Sequence, residues 1–347
     1  MLRGLSLTDL ARKIEGNRAL KRDYIANTST VTMTVQDDNT PVLELPNQGQ
    51  FPILPIAHDQ IGTKLNIPAK YYDRMLAEAP NLLANNVNEW FRHSPEPRMF
   101  RTLGGDTRAF LSDRYNRIEN EQIAEVALPV LADLPGINIV SCEVTDRRLY
   151  IHFAVSTIEG EVKKGDIVQA GGIISNSEVG LGAVSVTGFL WRLICLNGMK
   201  TGEAFRKNHI GRKMEDNEAL WADDTRKADD TAILLKVRDM VKAVVDETRF
   251  RAMIERLQGF TTAKISGDPV RAVEVLAQKV NASEFERGGI LRSLIEGNDL
   301  SAWGMMNAIT AQAHTANSYD RAVELEGMGG SLISLPTTEW REILQAA

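Results

Sequence analysis

The sequence is short of cysteine and of long apolar runs. Only two cysteines, Cys142 and Cys195, occur in 347 residues, too few for a disulfide framework or a four-cysteine zinc site. Cys195 lies in the apolar run FLWRLICL and is predicted to be an inert buried thiol. No apolar run reaches the roughly 18 residues that a membrane span needs, and the N-terminus is too polar for a secretory signal. We therefore expect a cytoplasmic protein with no membrane partner.

Catalytic motifs are missing as well. The five histidines are not paired at metal-ligand spacing, and the sequence has no HExxH, no P-loop and no GxSxG motif. Gly180, Gly182 and Gly188 do not fit the dinucleotide pattern GxGxxG. Carboxylates are plentiful, but no pair of them stands out. We therefore predict no catalytic residue, no metal ion and no cofactor, and a nuclease or other hydrolase is disfavoured because no metal-ligand cluster is visible.

Proline is unevenly distributed. Ten of the twelve prolines lie at or before Pro135, and none occurs from 136 to 268. Because proline breaks helices and central strands, the longest regular elements should lie in this proline-free middle. We predict an α+β fold with a central antiparallel β-meander and packed helices. Its regions are an N-terminal α+β region (1–95), a β-rich core (96–213) and a mainly helical C-terminal region with a long helix (214–347).

Local patterns predict individual elements. Ser6 can cap a first helix. Residues 58–80 are typical of two short helices around a turn, a pattern shared by DNA-reading helix-turn-helix motifs and by ordinary helical hairpins. Alternating segments predict one β-hairpin at 98–103 with 107–112 and a second around 145–147.

Apolar spacing predicts which side chains are buried. The strand after the second hairpin turn alternates, with apolar residues on one face and His152 on the other, where a structural or exposed histidine is expected. The residues on the apolar face are Leu149, Ile151, Phe153 and Val155.

The C-terminal third reads as helical. Residues 218–258 are predicted to form mostly one long helix, with an apolar stripe for packing or self-association. Asp268 and Ser283 are expected to begin further helices, and the segment SLISL at 331–335 is predicted to be a short strand. The stripe consists of Ile233, Val237, Met240 and Val244.

Positive charge is concentrated although the formal net charge is −6. Residues 191–213 contain six basic residues and one acidic residue, whereas 214–230 contain seven acidic and two basic residues. Phe205 and His209 lie among the basic residues, which suits contacts to a nucleic-acid backbone with some stacking. The alternative is a solvated basic loop that pairs with its acidic neighbour. The candidate nucleic-acid contacts here are Lys200, Arg206, Lys207, Arg212 and Lys213.

A second basic group flanks an aromatic ring. Arg108, Arg114 and Arg117 surround Tyr115 in the segment TRAFLSDRYNRIEN. Basic residues beside a ring near strand ends fit the same hypothesis of nucleic-acid contacts. These three arginines are therefore further candidates.

The segment IISNSEVGLGAVSVTGFLWRLICLNGMK is expected to be a strand, a turn and a second strand. Its residues Ser175, Asn176 and Ser177 could bind phosphate, or they could cap the turn. The following glycines allow positive φ or a close backbone approach. FLWRLICL does not alternate and is predicted to be fully buried, and Asn197 with Gly198 should form a tight exit.

Several motifs resemble one family. RAFLSDRYNRIEN, SNSEVGLGAVSV, RLICLNGM, HIGRK and NAITAQAHTANSYDRAVELEG resemble, in order, the phage/plasmid-like family catalogued as domain of unknown function 932. The resemblance covers roughly residues 55–335. It implies a phage, prophage or plasmid origin and the cytoplasm of a host cell, and it implies no settled activity.

A second resemblance concerns architecture. The order of helix, β-meander and glycine-rich entry to FLWRL is similar to the core of Red-beta-like single-strand annealing proteins. That resemblance implies a basic groove lined by strands and helices, and subunits that form rings or filaments. The familiar Thr-Tyr-Ala-x-Arg-Tyr run of those proteins is absent from this sequence. The resemblance therefore assigns no role to individual residues here.

Two functional hypotheses follow. The first is a cofactor-free protein that binds single-stranded DNA, forms a homo-oligomer and promotes strand annealing in recombination. The alternative is a non-enzymatic phage protein that binds a host protein, as a defence inhibitor or a scaffold. A continuous basic groove favours DNA, whereas a flat apolar patch favours a protein partner.

Overall fold

The computed structural model describes the backbone of residues 2–207 and 223–347. It describes the side chains of these residues except those within 203–227. The fold is mixed α+β, as predicted, with three antiparallel sheets among the described residues. Ser6 caps the first helix by accepting a hydrogen bond from the N–H of Asp9 at 3.1 Å. The N-terminal elements are α1 (Leu7–Leu20), β1 (Lys21–Asn27), β2 (Thr32–Val35), β3 (Pro41–Leu45), β4 (Gly49–Pro52), α2 (Pro55–Lys64), α3 (Ala69–Glu78) and α4 (Pro80–His93).

The first predicted hairpin is present and pairs with the N-terminal region. Strands β5 (Pro97–Leu103) and β6 (Asp106–Ser112) meet at Gly104 and Gly105, whose φ angles of 63° and 102° suit glycine. Strand β1 joins this hairpin through β5, giving the order β1-β5-β6. Residues on both sides of the predicted boundary at 95 therefore share one sheet.

The central meander is a five-stranded antiparallel sheet. The strand order is β11-β10-β9-β8-β7, so β11 and β7 are its outer strands. Helix α5 (Asn120–Ala132) precedes the meander in the chain. The strands are β7 (Ile137–Val144), β8 (Leu149–Lys163), β9 (Asp166–Asn176), β10 (Val184–Arg192) and β11 (Asn197–Lys207).

The C-terminal region is helical, as predicted. Asp268 and Ser283 cap two of its helices through their side chains. Among the described helices, none combines the length and the apolar character that crossing a membrane requires. The helices are α6 (Asp223–Ala243), α7 (Glu247–Thr262), α8 (Pro269–Lys279), α9 (Glu284–Glu296), α10 (Ala302–Ala311), α11 (Tyr319–Ser331) and α12 (Thr337–Leu344).

Both faces of the meander are covered. Ile151 of β8 and Ile174 of β9 pack in one apolar core with residues of α1, α5 and α6, as the alternation in β8 predicted. The opposite face of β8 packs on α11, where His152 is fully buried. Its Nε2 lies 3.1 Å from Glu326 Oε2, so His152 is a structural residue in a satisfied core position.

The predicted long helix is two helices. Asp246 accepts a hydrogen bond from the N–H of Arg249 at 2.8 Å and so begins α7, which interrupts the segment 218–258. The buried stripe of α6 includes Ile233 and Val237, as predicted, and it packs on α5 and the sheet within the same chain. The predicted strand at 331–335 is wrong, because residues Leu332–Ser334 form a 3-10 helix.

The run FLWRLICL is only partly buried. Its first half lies in β10, but residues 193–196 form the turn to β11, and Ile194 and Leu196 are each 57% exposed. Cys195 is exposed, so the prediction of a buried thiol is wrong. The prediction that Asn197 and Gly198 form the tight exit is wrong, because the turn lies at 193–196 and both residues belong to β11. A side chain at Gly198 would overlap the ring of Phe189.

Candidate functional site

Two motifs that are distant in sequence meet in a buried ion network. Lys21 lies at the start of β1, and its Nζ is 3.1 Å from Glu119 Oε2 and 2.7 Å from Glu121 Oε2. The same ammonium contacts Glu178 of the β9–β10 loop. Ion pairs to Lys21 therefore connect the segments RAFLSDRYNRIEN and SNSEVGLG, where the sheet β1-β5-β6 meets the five-stranded meander.

Two arginines complete the network. Arg101 Nε is 2.9 Å from Asp23 Oδ1, and its Nη1 donates to the carbonyl of Glu178 at 2.7 Å. Arg108 Nη1 lies 2.7 Å from Glu178 Oε2. Arg108 was a candidate contact to DNA, but its side chain is buried and its charge is matched inside the protein. The structure therefore assigns Arg108 a structural position and removes it from the candidate surface.

The network shifts the pKa values of its members. Burial disfavours the charged form of Glu178, but Arg108 and Lys21 outweigh burial and lower its pKa from 4.5 to about 2. Burial raises the pKa of Glu119, an effect that Arg101 opposes and the charge of Glu178 reinforces. Burial opposes the ammonium charge of Lys21, but Glu178 and Glu119 outweigh it, and the pKa of Lys21 is raised.

The carboxylates of this network were missed in the sequence. Oxygens of Glu119, Glu121 and Glu178 lie within 4.8 Å of one another, as ligands of a divalent cation would. The ammonium of Lys21 contacts all three, Arg101 also contacts Glu119, and Arg108 also contacts Glu178, so three cations already meet the three carboxylates. We therefore regard the cluster as a structural ion network that holds β1, α5 and the β9–β10 loop together. The available signal was the presence of acidic residues inside two otherwise distinctive motifs.

The polar residues that open the β9–β10 loop are also buried. Asn176 Nδ2 donates to the carbonyl of Ile118 at 2.9 Å. Ser177 Oγ donates to the carbonyl of Arg147 at 2.8 Å. Of the two roles left open for these residues, the internal, turn-forming role accounts for the contacts of Asn176 and Ser177. Ser175 differs, because its hydroxyl bonds Ser185 of β10 and it lines a cleft.

The other candidate arginines are exposed. Arg117 Nη1 lies 3.1 Å from Asp23 Oδ2 at the rim of the ion network. Arg114 lies in the segment between β6 and α5 and is exposed. Both remain open to solvent, so both stay in the candidate set.

The main basic segment begins on the outer strand β11. The strand register pairs Lys200 with Phe189, Arg206 with Ser185 and Lys207 with Val184. The side chains of Arg206 and Lys207 lie outside the described part of the chain. The predictions for Arg212 and Lys213 also fall outside the described residues.

A polar cleft lies between the sheet and α11. Strands β9, β10 and β11 form one wall, and the C-terminal half of α11 with the turn after it forms the other. The cleft has a volume of about 550 Å³, and Arg148 and Lys200 bring two positive charges to it. Six hydroxyl side chains also line it: Ser175, Ser185, Thr187, Thr201, Ser331 and Ser334.

Glycines bring α11 close to the sheet at this cleft. A side chain at Gly330 would overlap the carbonyl of Lys200. A Cβ at Gly327 would lie 3.6 Å from Cδ of Lys200. Gly330 therefore lets α11 approach the backbone of β11 while the cleft stays open beside it.

Comparison with protein-family models, with curated proteins and with solved structures finds no match to this chain.

Proposed function

We propose that the protein binds single-stranded DNA through its phosphates, without a cofactor, along β11 and the adjoining cleft. The observation that carries the proposal is the position of Lys200. It belongs to the basic outer strand and also lines a cleft that holds Arg148 and six hydroxyl groups. Lysine, arginine and hydroxyl side chains are the groups that most often contact phosphate oxygens.

The order of basic residues along β11 supports a backbone contact. Lys200, Arg206 and Lys207 lie on one strand at the edge of the meander. A strand rises about 3.3 Å per residue, so residues 200 and 207 are about 23 Å apart along β11. That span covers several nucleotides of a single strand. The homo-oligomer, strand annealing and the phage or plasmid origin remain parts of this proposal.

The test is a titration of a fluorescent oligothymidylate at several salt concentrations, followed by anisotropy. Each neutralised phosphate on a single strand contributes about −0.7 to the slope of log affinity against log salt. Arg206→Ala with Lys207→Ala should reduce the slope by on the order of one unit, similarly for unrelated sequences. The matched control is Arg12→Ala with Lys13→Ala, an adjacent basic pair on α1 that should leave the slope unchanged.

A second function is favoured by one observation. Ile194 and Leu196 are each 57% exposed on the turn between β10 and β11. A host protein would contact this turn through these two side chains, as part of a larger apolar surface. If wild-type protein does not bind the oligonucleotide even at low salt, the DNA proposal fails and a host-protein partner becomes the leading proposal. Binding that survives the double substitution leaves DNA binding in place but moves the contact surface, with Arg114 and Arg117 as the next candidates.

A further inference from the structure

Two basic side chains line the cleft beside α11. None of the described residues that line it is acidic, and two of them, Arg148 and Lys200, are basic. On β10, Thr187 and Ser185 lie at the second and fourth positions before Phe189, the residue that pairs with Lys200. A ligand in the cleft would therefore meet two positive groups together with hydroxyl groups.

Several hydrogen-bond donors in the cleft are available to a ligand. Nη2 of Arg148 donates to the carbonyl of Leu181, and its other two nitrogens have no partner among the described residues. The hydroxyls of Thr187 and Thr201 likewise have none within the described ranges. Ser175 Oγ and Ser185 Oγ lie 3.0 Å apart, and either can donate to the other. One hydroxyl hydrogen of this pair is left to point into the cleft.

We propose that this cleft binds the phosphate and sugar of a single nucleotide, with Arg148 and Lys200 as phosphate contacts and Thr187 and Thr201 as hydroxyl contacts. The proposal deepens the function proposed above and rests on it where the nucleotide belongs to a DNA strand. A free mononucleotide offers the same phosphate ester, so two sources share one chemistry.

Size and charge favour this ligand class. Pockets for small ligands usually measure about 300–1,000 Å³, and the cleft, at about 550 Å³, falls inside that range. Arginine and lysine form charge-assisted hydrogen bonds to phosphate oxygens, which are stronger than bonds between neutral groups. No aromatic ring is among the described residues that line the cleft. Because bases are usually held by stacking on such rings, binding should depend little on the base.

Calorimetry with thymidine monophosphate and with thymidine tests the proposal on the full chain at low salt. The monophosphate should bind at least about tenfold more tightly than the nucleoside, because the nucleoside lacks the charged group. Adenosine and thymidine monophosphates should differ by less than about threefold. Arg148→Met should weaken monophosphate binding about tenfold or more. Arg147→Met is the matched control, since Arg147 is the exposed neighbour outside the cleft.

A second pair of variants provides the test if Arg148→Met is destabilised. If Arg148→Met lowers the melting temperature by losing its contact to Leu181, Thr187→Val replaces it as the test. Thr187→Val keeps the side-chain shape and removes the hydroxyl, and Thr32→Val on the exposed face of β2 is its control. Thr187→Val should weaken binding about threefold to tenfold.

The outcomes distinguish failure of the proposed nucleotide site from failure of the proposed DNA binding. Monophosphate binding that falls only in the cleft variants supports the proposal with a free nucleotide as the source. Binding of oligothymidylate alone, weakened by the cleft variants, supports it with a strand as the source. Thymidine that binds as well as its monophosphate overturns the phosphate chemistry. Oligothymidylate binding that ignores all cleft variants overturns the cleft site and leaves the proposed function intact, whereas no binding of any probe overturns both.

Discussion

Removing the carboxylate of Glu178 should destabilise the protein strongly. Glu178 is buried, contacts Lys21, and lies 2.7 Å from Arg108 and 2.7 Å from the N–H of Asn120. In Glu178→Gln the guanidinium of Arg108 loses its ionic partner and stays buried; the described residues offer no second carboxylate to it. Leaving a buried charge without its partner typically costs about 3–5 kcal/mol.

The pKa of Glu178 gives a second magnitude for the same contacts. Its pKa falls from 4.5 to about 2 on folding, and each pKa unit corresponds to about 1.36 kcal/mol. The charged carboxylate therefore contributes about 3 kcal/mol to the free energy of unfolding at neutral pH. The two routes agree on a loss of about 3–4 kcal/mol in Glu178→Gln. Urea denaturation followed by tryptophan fluorescence measures that loss.

The loss should also depend on pH. Because the folded pKa of Glu178 lies below its unfolded value, its stabilisation is complete above about pH 4.5 and disappears as the pH falls toward 2. The gap between wild type and Glu178→Gln should therefore narrow in that window. Glu119, whose pKa burial raises, acts in the opposite direction there, so the gap between the two proteins is the quantity to measure.

A matched control shows how much free energy of unfolding an exposed carboxylate contributes. Glu89→Gln removes an exposed carboxylate of α4 that pairs with Arg92 at 3.1 Å, and it should cost about 1 kcal/mol or less. The reasoning is refuted if Glu178→Gln costs no more than Glu89→Gln. It is refuted equally if the gap at about pH 3 is as large as at neutral pH.

The sequence predicts best where structure is set by near neighbours. Ser6 and Ser283 cap helices because the N–H groups they bond lie three residues away. The turn at Gly104 is recognisable because only a few residue types tolerate positive φ. The alternation around Ile151 identified a buried face correctly, since period two is a property of any strand. The two helices predicted within 58–80, which the structure places at Pro55–Lys64 and Ala69–Glu78, and the central meander could be predicted because local periodicity identifies them.

Prediction failed where distant residues decide the outcome. Lys21 and Glu178 are 157 positions apart, so no local pattern indicates that they meet. A buried arginine such as Arg108 has the same sequence signature as a surface arginine, and only its partner shows the difference. The break before α7 was within reach, because Asp246 is a good N-cap residue. The apolar stripe of α6 continues through the break and concealed it.

Two further substitution series test the sheet and the turn beside the cleft. Ile151→Asp buries an unpaired charge in the apolar core of β8 and should cost several kcal/mol, whereas Ile25→Asp at a 63% exposed position of β1 should melt normally in circular dichroism. An Ile151→Asp protein with wild-type melting would contradict the assignment of that face. For the cysteines, an aromatic disulfide reagent should modify one thiol quickly. Cys195 is exposed on the turn after β10, whereas Cys142 is buried, and burial raises its pKa to about 11. Since the thiolate is the reactive form, Cys195→Ser should abolish the fast reaction and Cys142→Ser should leave it unchanged. Two fast thiols would mean that β7 opens where it pairs with Leu5, and none would mean that the turn carrying Ile194 is covered in solution by another molecule.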